Sequence, residues 1–225
     1  MSLAPLLDDH PPVRIPAAAS GKLSGFRAWV TSEEFPEKWR VSFLNGAIYF
    51  DMTEETETHN KVKVEIQSTL VAINKKHRLG TVYGDGVQLS NNAANLSTCP
   101  DAIYISRQTL RCGRVKRIQR KGRNEYIELE GTPDVVVEVV SRSSRRKDLV
   151  DLPVLYHRAG VPEYWLIDAL GDEIDFKIFR YGQRKYVSVL AQAGWFESPV
   201  LGRRFKLIRQ RDEDGDWQYD LKFKK

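Results

Sequence analysis

Cysteine is nearly absent from this chain of 225 residues: Cys99 and Cys112 are the two it has. Two are too few for a disulfide framework, and their separation does not fit a metal site. That scarcity points to a reducing, cytoplasmic setting. No run of about 18 apolar residues occurs, which argues against a membrane span. The opening stretch, MSLAPLLDDHPPVRIPAAAS, lacks a basic start followed by an apolar segment. It does not read as a secretory signal, and residues 1–25 are expected to form a loose arm. Histidine is scarce as well, four in all, with no pair at metal-ligand spacing. His10, His77 and His157 read as surface residues, and His59 as an exposed histidine at a helix start. A net charge of +5 is mild and says little about nucleic acid by itself. None of the glycines belongs to a phosphate-cradling loop, and no internal repeat is visible.

What is present alternates between helix and strand signals. Thr31 or Ser32 is placed to cap a short helix within Phe26 to Arg40. Val41 to Phe50 carries Asn45-Gly46 between two β-prone runs, a two-residue hairpin signal. Val62, Ile66, Leu70 and Ile73 recur every three to four residues and predict an amphipathic helix over residues 56–79, stopped at Gly80. TVYGDGVQLS and CPDAIYIS read as strands joined by a polar loop, NNAANLST. Residues 111–131 read as a basic hairpin rich in Arg and Lys. A helix is expected from near Asp151 to Gly160, since Pro153 is tolerated only in a first turn. EYWLIDA, EIDFKIFRY and KYVSVLA read as further strands, and residues 209–225 as a charged tail. The order suits an α/β or α+β class with a mixed sheet.

One stretch poses a chemical question. TPDVVVEVVSRSS, residues 132–144, is a valine strand with one carboxylate, Glu138, in the middle. An unpaired buried carboxylate is costly. Glu138 must therefore be paired with a nearby arginine, protonated, metal-bound or placed at an exposed strand end. A second strand, PDAIYIS, opens with Asp101. Neighbouring strands lie about 5 Å apart, so Asp101 and Glu138 converge if the two strands pair in register. An aspartate and a glutamate so placed form a minimal holder for Mg²⁺.

The block PDVVVEVVSRSSRRKDLVDLPVLYHRAGVPEYWLIDA, residues 133–169, together with PDAIYIS, resembles the Uma-two family of the PD-(D/E)XK nuclease superfamily. The resemblance runs over roughly Phe26 to Leu207. It implies a restriction-endonuclease-like mixed sheet flanked by helices, with added hairpins, over residues 26–208. It also implies Mg²⁺ (or Mn²⁺) dependent hydrolysis of DNA. By the same resemblance Asp101 and Glu138 hold the metal with the main-chain carbonyl of Val139. The lysine that usually follows two residues after the glutamate is Val140 here, and the alternative helical position is Leu152. Lys147 is the nearest substitute for orienting the attacking water, with Arg145 and Arg146 behind it. The N-terminal hairpin has Ser42, Asn45 and Ala47 where the family usually carries acids. Arg114, Lys116, Arg117, Arg120, Lys121, Arg145 and Arg146 are candidate phosphate contacts. The expected partner is DNA, with a homodimer possible and no membrane. The alternative is a catalytically degenerate nuclease fold that binds nucleic acid or protein. Trp165 and Tyr164 read as core, and Asp168 as a structural cap.

Overall fold

The computed structural model describes residues 15–36, 39–50, 56–120 and 124–225. The first fourteen residues of the expected arm, and Lys121 and Arg123 of the expected basic hairpin, lie outside the described residues. A short turn, Ala17–Ala19, leads into α1, Leu23–Val30. Thr31 ends this helix rather than starting one. Its N–H and its hydroxyl both donate to the carbonyl of Arg27, and the Ser32 hydroxyl donates to that of Trp29. A hydroxyl can serve a helix at either end, so the residue type alone did not fix which end this was. Phe26 and Trp29 of α1 are buried and pack with Phe43.

β1, Val41–Leu44, and β2, Ala47–Phe50, form the predicted hairpin. Asn45 and Gly46 both have positive φ, 50° and 99°, as a two-residue turn of this kind requires. α2, Glu57–His77, is the long amphipathic helix. Thr56 caps it by accepting from the His59 N–H at 3.3 Å. The helix ends at Arg78, with φ 50°, and not at Gly80. Gly80 instead opens β3, Gly80–Tyr83, and a Cβ there would lie 2.1 Å from the carbonyl oxygen of Ile105. Its small size serves strand approach, not helix termination.

β4, Gln88–Asn91, β5, Leu96–Thr98, and β6, Ala102–Ser106, follow. β5 lies inside the stretch expected as a polar loop. Its Ser97 and Thr98 are buried and satisfied by side chains, Ser90 at 2.7 Å and Ser42 at 3.0 Å. Mutual hydroxyl pairing lets polar residues occupy a buried sheet. α3, Arg107–Arg111, precedes the basic hairpin, so Arg111 ends a helix. The hairpin strands are β7, Val115–Gln119, and β8, Tyr126–Gly131. β9, Val135–Val139, is the valine strand. A π-helical turn, Lys147–Asp151, leads into α4, Leu152–Arg158, close to the predicted start. The remaining strands are β10, Glu163–Asp168, β11, Asp175–Arg180, and β12, which is only Val187–Ser188. β13, Phe196–Ser198, β14, Arg203–Arg211, and β15, Trp217–Lys224, complete the chain. The expected charged tail is therefore the end of β14 and all of β15. Tyr219 and Leu221 alternate inward into the core, and β15 rests on α2.

The central sheet runs β12-β11-β10-β9-β6-β3. β9 pairs parallel with β10 and antiparallel with β6, so the sheet is mixed. One face packs Val135, Val137 and Trp165 against Val62, Ile66 and Leu70 of α2 and Phe205 of β14. The other packs Val136, Val140 and Tyr164 against α4 and the second sheet, β2-β1-β5-β4-β8-β7. β9 is covered on both sides, which is why valine occupies both parities. Each fully buried valine contributes about 1.5–3 kcal/mol. No helix among the described residues is long and apolar enough to cross a membrane.

Candidate active site

The register of β6 and β9 sets Ala102 opposite Val137. One step further along this antiparallel ladder, residues 101 and 138 face each other across the two strands, and the charge of Asp101 acts on Glu138. The Asp101 carboxylate accepts from the Val139 N–H at 2.7 Å. Glu138 is 4% exposed and accepts from the Tyr156 hydroxyl of α4 at 2.5 Å. Of the options the sequence left open for Glu138, an exposed strand end is not what the structure has, and no arginine partner is found among the described residues.

α2 supplies a second set of groups. His59, Lys63 and Gln67 lie four residues apart, so they share one helix face. All three reach the Asp101 end of β6 and β9. His59 Nε2 meets the Val139 carbonyl at 2.7 Å and lies 3.9 Å from Asp101 Oδ2. Lys63 Nζ is 3.5 Å from Asp101 Oδ1 and 2.5 Å from Asp85 Oδ2. Gln67 donates to the Asp101 main-chain carbonyl at 2.8 Å. His59 is thus buried, 8% exposed, and not the surface histidine expected from its place at a helix start. Its ring is turned inward, to the Val139 carbonyl. His157 is also packed, stacked on Tyr181 with its Nε2 at the Gly182 carbonyl.

The electrostatics follow from burial. Burial pushes the Glu138 carboxyl well above its ordinary range, and the nearby charges of Asp148 and Asp101 push it further. Lys147 and the Tyr156 hydroxyl oppose this without reversing it. Asp101 is also raised, mainly by burial, against the opposing pull of Lys63, the Val139 N–H and His59. Asp85 goes the other way. Burial would raise it, yet bonds and charge from Lys63 and Arg40 hold it below the usual carboxylate range. The Tyr156 hydroxyl is raised by burial and by Glu138.

Lys147 is buried at the start of the π-helical turn, where its charge acts on Glu138. The candidate phosphate contacts are dispersed. Arg114 pairs with Asp134, Arg145 bonds Asp168 at 2.8 Å, Arg120 faces Glu125 at 3.8 Å, and Arg117 lies over the Tyr126 ring. Lys116 and Arg146 are exposed. Asp168 caps as expected, accepting from the Leu170 N–H. Asp134, of the second Pro-Asp pair, holds the Ser106 N–H and the Thr109 hydroxyl, which is a structural task.

Sequence reasoning named Asp101, Glu138 and Lys147 as candidates. It read His59 as a surface residue and did not single out Lys63, Gln67, Asp85, Asp148 or Tyr156, which lie around these candidates. A signal for the first three existed: a polar stripe at positions 59, 63 and 67 beside the apolar stripe at 62, 66, 70 and 73.

The donors suit a hard divalent cation in type. Two carboxylates and a main-chain carbonyl are oxygen ligands, and Mg²⁺ needs no larger protein cage. The strain of a buried acid with other acids nearby is the kind a cation relieves. Among the described residues, no group of three or more His, Cys, Asp or Glu is arranged to hold a metal. Any such cation would rest on the pair and on Val139, whose carbonyl His59 engages here.

A mixed sheet flanked by helices, with two acids at the ends of adjacent strands, defines a restriction-endonuclease-like fold. The chain belongs to the Uma2 family, described as "Putative restriction endonuclease", whose model matches residues 25–207. A similar solved structure is "a putative nuclease belonging to DUF820" from Anabaena variabilis. It is 16% identical, with a TM-score of 0.58, over 80% of this chain and 90% of that one. That likeness bears on the fold. No curated protein matches the chain. Family and fold together support a nuclease function.

Proposed function

We propose that this chain is a divalent-cation-dependent endonuclease that hydrolyses DNA phosphodiester bonds. The observation that carries the reading is the buried Glu138 carboxyl, which the charge of Asp101, one step beyond the Ala102–Val137 rung of β6 and β9, pushes further towards its protonated form. Asp101, Glu138 and the Val139 carbonyl are the groups that would hold Mg²⁺ or Mn²⁺. A bound cation of this kind supplies a more acidic water and neutralises charge at phosphorus. The Val139 N–H and Gln67 fix Asp101, and Tyr156 fixes Glu138. Lys147, beside Glu138, orients the attacking water. Arg114, Lys116, Arg117, Arg120, Lys121, Arg145 and Arg146 supply phosphate contacts, with binding that weakens steeply as salt rises.

Supercoiled plasmid incubated with Mg²⁺ or Mn²⁺ tests the reading. Wild type nicks it, EDTA stops nicking, and Glu138→Ala lowers the rate by about 10³-fold or more, the scale of losing a principal charge-stabilising group. Nicking that survives Glu138→Ala rules out this site.

Two observations favour a second reading, a nuclease fold kept for binding. Val140 stands where a lysine is usual, and it is buried in the apolar face. His59 engages the Val139 carbonyl. Under that reading the folded chain binds duplex DNA but takes up no Mn²⁺ in calorimetry.

A further inference from the structure

We propose that Lys63 is a catalytic cation of this site, supplying from α2 the ammonium that position 140 cannot supply. The inference rests on the nuclease reading and adds a residue to it.

Residues 138 and 140 lie on the same face of β9. Val140 is packed there with Leu152, Leu155 and Tyr156, so no cation can stand beside Glu138 from its own strand. Lys63 is 4% exposed, on the face of α2 turned to the sheet. A lysine is rarely so buried unless its charge is matched. Two carboxylates do this, Asp85 at 2.5 Å and Asp101 at 3.5 Å. Asp85 does not depend on Lys63 alone, since Arg40 Nη1 reaches the same oxygen at 2.5 Å. A carboxylate with two cations is more than neutralised. Asp85 therefore reads as a tether that holds the Lys63 ammonium in place beside Asp101. The tether sits in the turn between β3 and β4, where a Cβ at Gly84 would lie 3.1 Å from the Gln67 side chain. The turn thus lies against the same stripe of α2. The charge of Lys147 acts on Glu138 and Lys63 lies 3.5 Å from Asp101, so each of the two acids has an ammonium of its own.

The bland account is that Lys63 only neutralises Asp85. The two accounts separate in a double variant. Lys63→Met removes the charge and leaves Asp85 with Arg40. Lys63→Met/Asp85→Asn removes both members of the Lys63–Asp85 ion pair, so Asp85 is not left as an uncompensated charge while Asp101 loses its lysine in both variants alike. If Lys63 is catalytic, both variants lose kcat by about 10²-fold or more, KM changes less than about threefold, and duplex binding in EDTA is unchanged. If it only neutralises Asp85, the double variant recovers wild-type kcat, and that result overturns the proposal. Should Lys63→Met fold poorly by thermal melting, the double variant alone decides. Lys63→Arg, which keeps the charge, is expected to retain more activity than Lys63→Met. A wild type that cleaves while the double variant cleaves equally well refutes only the role of Lys63. A wild type that never cleaves refutes the nuclease reading and this inference with it.

Discussion

Glu138 and Glu163 sit on neighbouring parallel strands, and both are buried, 4% and 1% exposed. Their surroundings differ. Glu163 accepts from Trp165 Nε1 at 3.0 Å, the Ser198 hydroxyl at 2.7 Å and the Val200 N–H at 2.7 Å. Three donors offset much of what burial costs it, though burial still raises its carboxyl. It is a latch between β10 and the β13 region. Glu138 has the Tyr156 hydroxyl at hydrogen-bond distance and feels two further acids, Asp148 and Asp101. Equal burial thus hides opposite roles. A buried acid surrounded by donors holds the fold together, whereas one surrounded by acids marks a place where positive charge is wanted.

Exchanging the two residues' fates tests that contrast. The largest effect separates activity from stability. Glu163→Ala leaves an indole N–H, a hydroxyl and a main-chain N–H without their acceptor. It should cost about 2–4 kcal/mol, a fall in Tm on the order of 5–15 °C, with kcat unchanged in the folded fraction. Glu138→Ala should show the reverse pattern, with kcat lost. A Glu163 variant that abolished cleavage without lowering Tm would break the comparison.

A smaller effect concerns pH without divalent cation. The Glu138 carboxyl titrates higher in the folded chain than in the unfolded one. Its contribution to stability is complete below about pH 4.5, its ordinary value, and is lost as pH rises through the folded value. Glu138→Gln removes this dependence. In EDTA at pH 8 the variant should be more stable than wild type by on the order of 1–3 kcal/mol, with the gap closing toward pH 4. Urea melts at the two pH values read this out.

Much of this was legible in the sequence. The valine strand, the Asn-Gly hairpin and the apolar spacing of α2 each state their structure through side-chain period or turn chemistry. The pairing of the two Pro-Asp strands was legible as a conditional, and the register of β6 and β9 fulfils it by setting Ala102 opposite Val137. The misses share a cause. Thr31, Ser97 and Thr98 are polar residues whose hydroxyls are satisfied locally, so polarity was read as loop or as a helix start. Arg78 in a left-handed conformation ended α2 where a glycine was expected. The charged segment at 209–225 was read as a tail because its charged residues outnumber the inward-facing Tyr219 and Leu221. Lys63 and His59 were missed because a charged residue on an amphipathic helix is usually solvated. Only packing against a strand end that already carries an acid reverses that expectation.

The central claim is that Asp101 and Glu138 hold a divalent cation, and calorimetric titration of the folded, EDTA-treated protein with Mn²⁺ tests it most directly. Wild type and Glu163→Gln should each take up cation with a saturating heat signal, and Glu138→Gln should give none. Identical isotherms for wild type and Glu138→Gln, or a wild type that binds nothing, would contradict it.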